Sequence, residues 1–247
     1  MKWIDDFLVA IQFLTRLPVP RVRFDPHSLS RAAKLFPVVG LMIGLGASVL
    51  QRIAAPHLSR PLVALLVLIF LVLVTGGLHE DGLADAADGF GGGWNPEQVL
   101  TILRDSRIGS FGALALVLSV LARFLLLSSL PVNRFVALVV SAHVLCRWTT
   151  LPLSYFLAPA RASDGQGARI AQKISLISLL MGTLLSFAII FYFMRAEFWI
   201  PVLAALMITA LSGLYYSRRI GGVTGDCFGA TNQLTEIAVY LCGVWNL

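Results

Sequence analysis

The chain reads as an all-α, polytopic integral membrane bundle of about six to seven transmembrane helices with an N-terminal interfacial helix. Three observations predict this. Hydrophobic residues make up 57% of the 247 residues and charged ones only 13%, and mean hydropathy is +0.83, more apolar than a soluble domain needs. Apolar runs recur at the roughly 18–20 residues required to cross about 30 Å of hydrocarbon. Lys and Arg fall unevenly between the segments that join those runs.

In order along the chain, Trp3, Phe7, Leu8, Ile11 and Leu14 with Asp5 and Asp6 between them form an amphipathic pattern. It predicts an interfacial helix rather than a signal peptide, ended by Pro18 and Pro20. Spans follow near 35–53, 61–78, 110–130, 135–157, 174–194 and 198–216. Gly40, Gly44 and Gly46 in the first span read as a helix-packing surface. The stretch 235–247 is shorter and reads as a partial seventh span. The whole is expected to be one domain, 1–247, with catalytic loops at 79–112 and 217–236.

Arg16, Arg21, Arg23, Arg31 and Lys34 precede the first span. Crossing once per span puts Arg104, Arg107, Arg161, Arg169, Lys173, Arg218 and Arg219 on that same side. The other side holds only Arg52, Arg60, Arg134 and Arg195. The richer side is therefore expected to be cytoplasmic, in a bacterial inner membrane. This topology accounts for the net charge of +6 without a nucleic-acid partner; the lipid bilayer is the surrounding partner, and a homo-oligomer is compatible with the sequence.

Three polar, Gly-rich segments share that side. The first runs from His79 to Gly93 and places Glu80, Asp81, Asp85 and Asp88 within nine residues. If it continues the preceding helix, Asp81, Asp85 and Asp88 share one face at i, i+4 and i+7. Like charges so arranged call for a hard, oxygen-seeking cation such as Mg²⁺. The second, Arg104-Asp105-Ser106-Arg107-Ile108-Gly109-Ser110-Phe111-Gly112, mixes cations, hydroxyls and glycines ahead of a helix N-terminus, a setting suited to phosphate. The third runs from Gly221 to Asn232 and includes Asp226, with Glu236 after it. None is a P-loop or a dinucleotide fingerprint.

Together these suit phosphoryl or nucleotidyl transfer: carboxylates hold a metal, the metal bridges a pyrophosphate, and Arg side chains neutralise its oxygens. His79 or a carboxylate would supply the base. Arg123, and His143 with Arg147 one turn later, lie inside apolar spans, where an ionised group is costly unless paired or functional. Cys146, Cys227 and Cys242 show no metal or disulfide spacing.

These segments resemble those of the cobalamin synthase family, adenosylcobinamide-GDP ribazoletransferases. Phe13-Leu14-Thr15-Arg16-Leu17-Pro18-Val19-Pro20 and Phe36-Pro37-Val38-Val39-Gly40 fit its N-terminal pattern, so the likeness runs along nearly the whole chain. It departs at Arg104, where Lys is common, and at Ala86, where Thr is frequent; neither removes a carboxylate. The resemblance implies a Mg²⁺-dependent transfer between adenosylcobinamide-GDP and α-ribazole or its 5′-phosphate, with GMP leaving. Asp81, Asp85 and Asp88 would ligate the metal, with Glu80 and Asp105 supporting. Arg104, Ser106 and Arg107 would bind the GDP phosphates, with Asp226, His143 and Arg147 as further substrate contacts, and His79 or Asp88 would act as base.

Two other classes are compatible with parts of the pattern. Asp85-Ala86-Ala87-Asp88-Gly89 opens like a CDP-alcohol phosphotransferase motif, but Gly92 and Gly93 occupy its Ala-Arg positions and its later aspartates are absent. A cation transporter would use intramembrane acids with His143 and Arg147, yet the acids cluster at one face and no inverted repeat is visible.

Overall fold

The computed structural model describes residues 2–20, 27–160 and 174–245, and among these no extended strand occurs, only an isolated parallel bridge between Pro159 and Val223. Arg21, Arg23, Arg161, Arg169 and Lys173 lie outside the described residues. The helices are α1 (Lys2–Leu14), α2 (Ser28–Ala32), α3 (Phe36–Ala54), α4 (Arg60–Thr75), α5 (Leu78–Gly92), α6 (Pro96–Ile102), α7 (Ser110–Ser129), α8 (Phe135–Trp148), α9 (Thr150–Phe156), α10 (Leu176–Met194), α11 (Trp199–Ile220) and α12 (Gly225–Val244).

Among the described residues, five helical stretches are long and apolar enough to cross a membrane: Ser28–Ala54, Ser110–Ser129, Phe135–Phe156, Leu176–Glu197 and Trp199–Ile220; the span expected at 61–78 passes only as the bent pair of α4 with α5. The outer ones turn their large side chains outward. Leu114, Val117, Leu121 and Leu125 on α7, and Leu203, Met207, Leu211 and Leu214 on α11, are all exposed at helical spacing. Such a band suits contact with lipid tails. At the centre, α8 is buried without interruption from Leu138 to Trp148. It packs against α3, where a Cβ on Gly40 would stand 2.1 Å from the His143 carbonyl oxygen and one on Gly44 2.8 Å from the Val140 Cα. Of the glycine surface expected in the first span, Gly40 and Gly44 form the seam between α3 and α8, while Gly46 faces the Phe70 ring of α4.

The acidic segment does not continue α4. Gly76 and Gly77 both adopt left-handed φ, +65° and +71°, which only glycine takes without strain, and α5 leaves α4 at 85°. It turns across the end of the bundle. The expected loops 79–112 and 217–236 are therefore largely helical: α5, α6, the last turn of α11 and the first half of α12 fill them, leaving 93–95, 103–109 and 221–224 as connections.

The C-terminal segment also differs from expectation. It is not a short partial span beginning near 235 but a 20-residue helix beginning at Gly225, about 30 Å long. It is enclosed by α5, α7, α8 and α11, so its polar residues meet protein rather than lipid. Helix α1 buries Val9, Ala10, Ile11 and Leu14, and beside them buried Asp6 pairs with Lys34 at 2.7 Å, while Lys34 also sits 4.4 Å from the Trp3 ring centre.

Candidate active site at one end of the bundle

Two glycines bring α5 against the start of α12. A Cβ on Gly82 would lie 3.0 Å from the Gly229 Cα, and one on Gly229 would lie 3.0 Å from the Gly82 Cα. The backbones touch where two larger residues would hold them apart. That contact sets Asp226, in the first turn of α12, across from the acidic face of α5. Thr224 caps α12 through its hydroxyl, which also donates to Asp226 Oδ2 at 3.2 Å.

The four acids of α5 have different surroundings. Asp81 is exposed and Asp85 half-buried. Burial, and then the charges of Asp81, Asp226 and Asp88, push the Asp85 carboxyl up to about 6, as expected when like charges crowd one site. Glu80 points the other way, into the bundle: it accepts from Arg123 Nη1 at 2.8 Å and from Gln233 Nε2 at 3.2 Å. Asp88 is buried and accepts from the backbone N–H groups of Gly109 and Gly112 at 2.7 and 2.8 Å. It caps the N-terminus of α7, where the sequence suggested an external phosphate, and Cβ atoms on Gly109 or Gly112 would collide with its carboxylate.

Arg104, Ser106 and Arg107 are exposed in the connection that Asp88 tethers. Arg107 pairs with Asp105 at 2.6 Å, and that bond holds the Asp105 carboxyl down at about 2. Arg219 reaches back from α11 to the carbonyls of Phe90 and Gly93 at 3.2 and 2.8 Å, closing the C-terminus of α5.

A cleft opens beside the acids, lined by Phe13 and Leu14 of α1, Phe36 of α3, Leu78, His79, Asp81 and Gly82 of α5, Thr150 of α9, and Gly225, Asp226, Phe228, Gly229 and Asn232 of α12. His79 is buried, and its pKa is lowered first by that burial and then by Arg147 and Arg123, so the imidazole is neutral at pH 7.

His143 and Arg147 do not line this cleft. Each is 1% exposed, within the bundle. Arg147 Nη1 stands 2.6 Å from His143 Nδ1, and the Tyr240 hydroxyl 3.2 Å from His143 Nε2. Because Arg can only donate, Nδ1 accepts and Nε2 carries the proton. Among the described residues, the one trio of metal-ligating atoms gathered within 4.8 Å is His143, Cys146 and Glu236. The Arg147 guanidinium fills it, 2.8 Å from Cys146 Sγ, so a second cation is not accommodated. The carboxylates of Asp81, Asp85 and Asp226 are not gathered within that distance.

Sequence reading did not single out Asn232, Gln233 or Glu236 as site residues. Asn232 closes the third polar segment and Glu236 follows it, but nothing in the spacing marks either as part of the site.

The sequence profile of the cobalamin-5-phosphate synthase family matches residues 6–244 of the chain. An adenosylcobinamide-GDP ribazoletransferase of Shewanella piezotolerans is 37% identical over 245 residues, covering 95% of this chain and 93% of that protein. One from Sinorhizobium medicae is 39% identical over 257 residues, covering 95% and 94%, and one from Shewanella frigidimarina is 36% identical over 249 residues, covering 98% and 95%. No solved structure matches the chain.

Proposed function

The chain belongs to the cobalamin-5-phosphate synthase family, and from that premise we propose that it is a membrane-embedded adenosylcobinamide-GDP ribazoletransferase working at the α5–α12 end of the bundle. The observation that carries the reading is the match along residues 6–244, with acids from two distant segments facing each other at that end. A hydroxyl of α-ribazole, or of its 5′-phosphate, forms a bond to the phosphorus on the cobinamide side of adenosylcobinamide-GDP. The bond from that phosphorus to the bridging oxygen breaks, GMP leaves with the electron pair, and the hydroxyl proton passes to a base.

His79 suits the base: it is neutral and lines the cleft. Asp88 does not, because both its oxygens already accept backbone N–H groups. Asp81, Asp85 and Asp226 fit a hard divalent cation, being all-oxygen donors at a place where burial, and then the charges of Asp81, Asp226 and Asp88, raise Asp85; Glu80 and Asp88 turn their oxygens to partners within the bundle. Bound Mg²⁺ would supply neutralisation of the pyrophosphate charge. Arg104 and Arg107 lie exposed near the same end and would meet the GDP phosphates, Arg107 by exchanging Asp105 for phosphate.

Arg16, Arg31, Lys34, Arg104, Arg107, Arg218 and Arg219 belong to the segments on the side of this site, against Arg52, Arg60, Arg134 and Arg195 on the other. That asymmetry supports a cytoplasmic active face in a bacterial inner membrane. The test is GMP release from adenosylcobinamide-GDP and α-ribazole by the purified, detergent-solubilised protein with Mg²⁺. Stoichiometric GMP and cobalamin are expected; absence of both under conditions where a relative turns over would overturn the reading.

A further inference from the structure

We propose that the cleft between α1, α3, α5, α9 and α12 seats the acceptor nucleoside, with the Asn232 side-chain oxygen accepting a hydrogen bond from its sugar hydroxyl. The proposal rests on the transferase reading above and names where its smaller substrate binds.

Asn232 is 2% exposed, lines the cleft, and its Oδ1 has no hydrogen-bond partner. A buried acceptor left unmade is costly, and such groups are satisfied in the working state by water or ligand. The donor it calls for is an O–H or N–H arriving in the cleft.

The rest of the lining says what else that ligand carries. One wall is apolar, with Leu78, Phe228 and the Phe13 and Phe36 rings, which stack at 5.8 Å and 15°. The other holds His79, Asp81, Asp226 and Asn232. Among the described residues, no Lys or Arg lines the cleft. A pyrophosphate would be confined to the side of Asp81 and Asp226, where bound Mg²⁺ would offset its charge. A riboside of an uncharged aromatic base meets both walls: the flat base against the rings, the sugar hydroxyls against acceptors. The cleft itself holds about 160 Å³, less than a drug-sized site of roughly 300–1,000 Å³, so it takes part of the riboside while the rest lies in the open mouth. Seated so, the hydroxyl lies beside His79, and the donor substrate approaches from the acid side.

The test is two-substrate kinetics on Asn232→Leu, which keeps size but removes the acceptor, and on Phe13→Ala on the apolar wall. KM for α-ribazole should rise about tenfold or more in each, while KM for adenosylcobinamide-GDP stays within about twofold of the unchanged protein. An unchanged α-ribazole KM, or a rise confined to adenosylcobinamide-GDP, overturns the proposal. If Asn232→Leu does not fold, Phe13→Ala alone decides by the same criterion. If the unchanged protein releases no GMP, the transferase reading fails by itself. The cleft is then judged by direct α-ribazole binding, which must weaken in the variants for the proposal to stand.

Discussion

Arg123, in the middle of α7, donates through Nη1 to the Glu80 carboxylate at 2.8 Å, with side-chain exposures of 1% and 13%. Glu236 of α12 stands 3.8 Å from the same nitrogen. The first turn of α5 is thereby moored to a charge inside the bundle, and breaking such a pair from one side costs about 3–5 kcal/mol. Glu80→Gln should lower the thermal midpoint in detergent yet leave the Mg²⁺ concentration for half-maximal turnover unchanged. Asp81→Asn should shift that concentration upward. Equal shifts in both variants would return Glu80 to the metal's ligands.

Asp85→Asn should abolish turnover, with a loss of roughly a hundredfold or more, while the protein stays inserted and folded. Without Mg²⁺ the variant should melt above the parent, because a carboxylate crowded by Asp81, Asp226 and Asp88 has been neutralised. Normal GMP release would remove Asp85 from the metal site.

The same crowding has a pH signature. Asp85 is raised from 3.8 to about 6 in the folded protein, so the fold binds the proton more tightly than the unfolded chain does. Its stabilising proton is fully held below about pH 4 and lost as pH rises through about 6. Metal-free protein should therefore lose stability across that window, and Mg²⁺ should raise the melting midpoint more at pH 7.5 than at pH 5. A Mg²⁺ effect independent of pH would contradict this.

Gly82→Ala introduces a methyl 3.0 Å from the Gly229 Cα. Overpacking of this kind costs about 1–3 kcal/mol, and relief comes by parting α5 from α12. Activity should fall more than the stability loss accounts for, since Asp226 moves away from Asp81 and Asp85. Measuring melting and GMP release on the same preparation separates the two effects.

Asp88→Asn replaces one of the two carboxylate acceptors at the start of α7 with an amide donor. The loss should be about 1–2 kcal/mol. The kinetic defect should appear in KM for adenosylcobinamide-GDP, through the displaced 104–109 connection, with Mg²⁺ dependence unaltered. A changed Mg²⁺ dependence would restore the ligand role that the resemblance implied for Asp88.

The spans near 110–130 and 198–216 are legible in the sequence because α7 and α11 face lipid along most of their length, and lipid demands apolar residues. Helix α12 is not, for the complementary reason. Asn232, Gln233, Thr235 and Glu236 are buried by protein, and hydropathy cannot separate a sealed polar helix from a loop. The acidic spacing correctly places Asp81 and Asp85 on a shared helical face. It cannot show that α7 begins beside Asp88, that Arg123 draws Glu80 inward, or that Asp226 arrives from 141 positions beyond Asp85. Those depend on how helices meet, which residue spacing within one helix does not encode.

Among the described helices, α12 is made last. Until it docks, α5 has acids but no Asp226, Arg123 has Glu80 but no Glu236, and the cleft lacks one wall. Assembly of the site thus waits on the most C-terminal described helix: a chain cut before residue 225 would carry the acidic helix without its facing Asp226, and turnover should be absent.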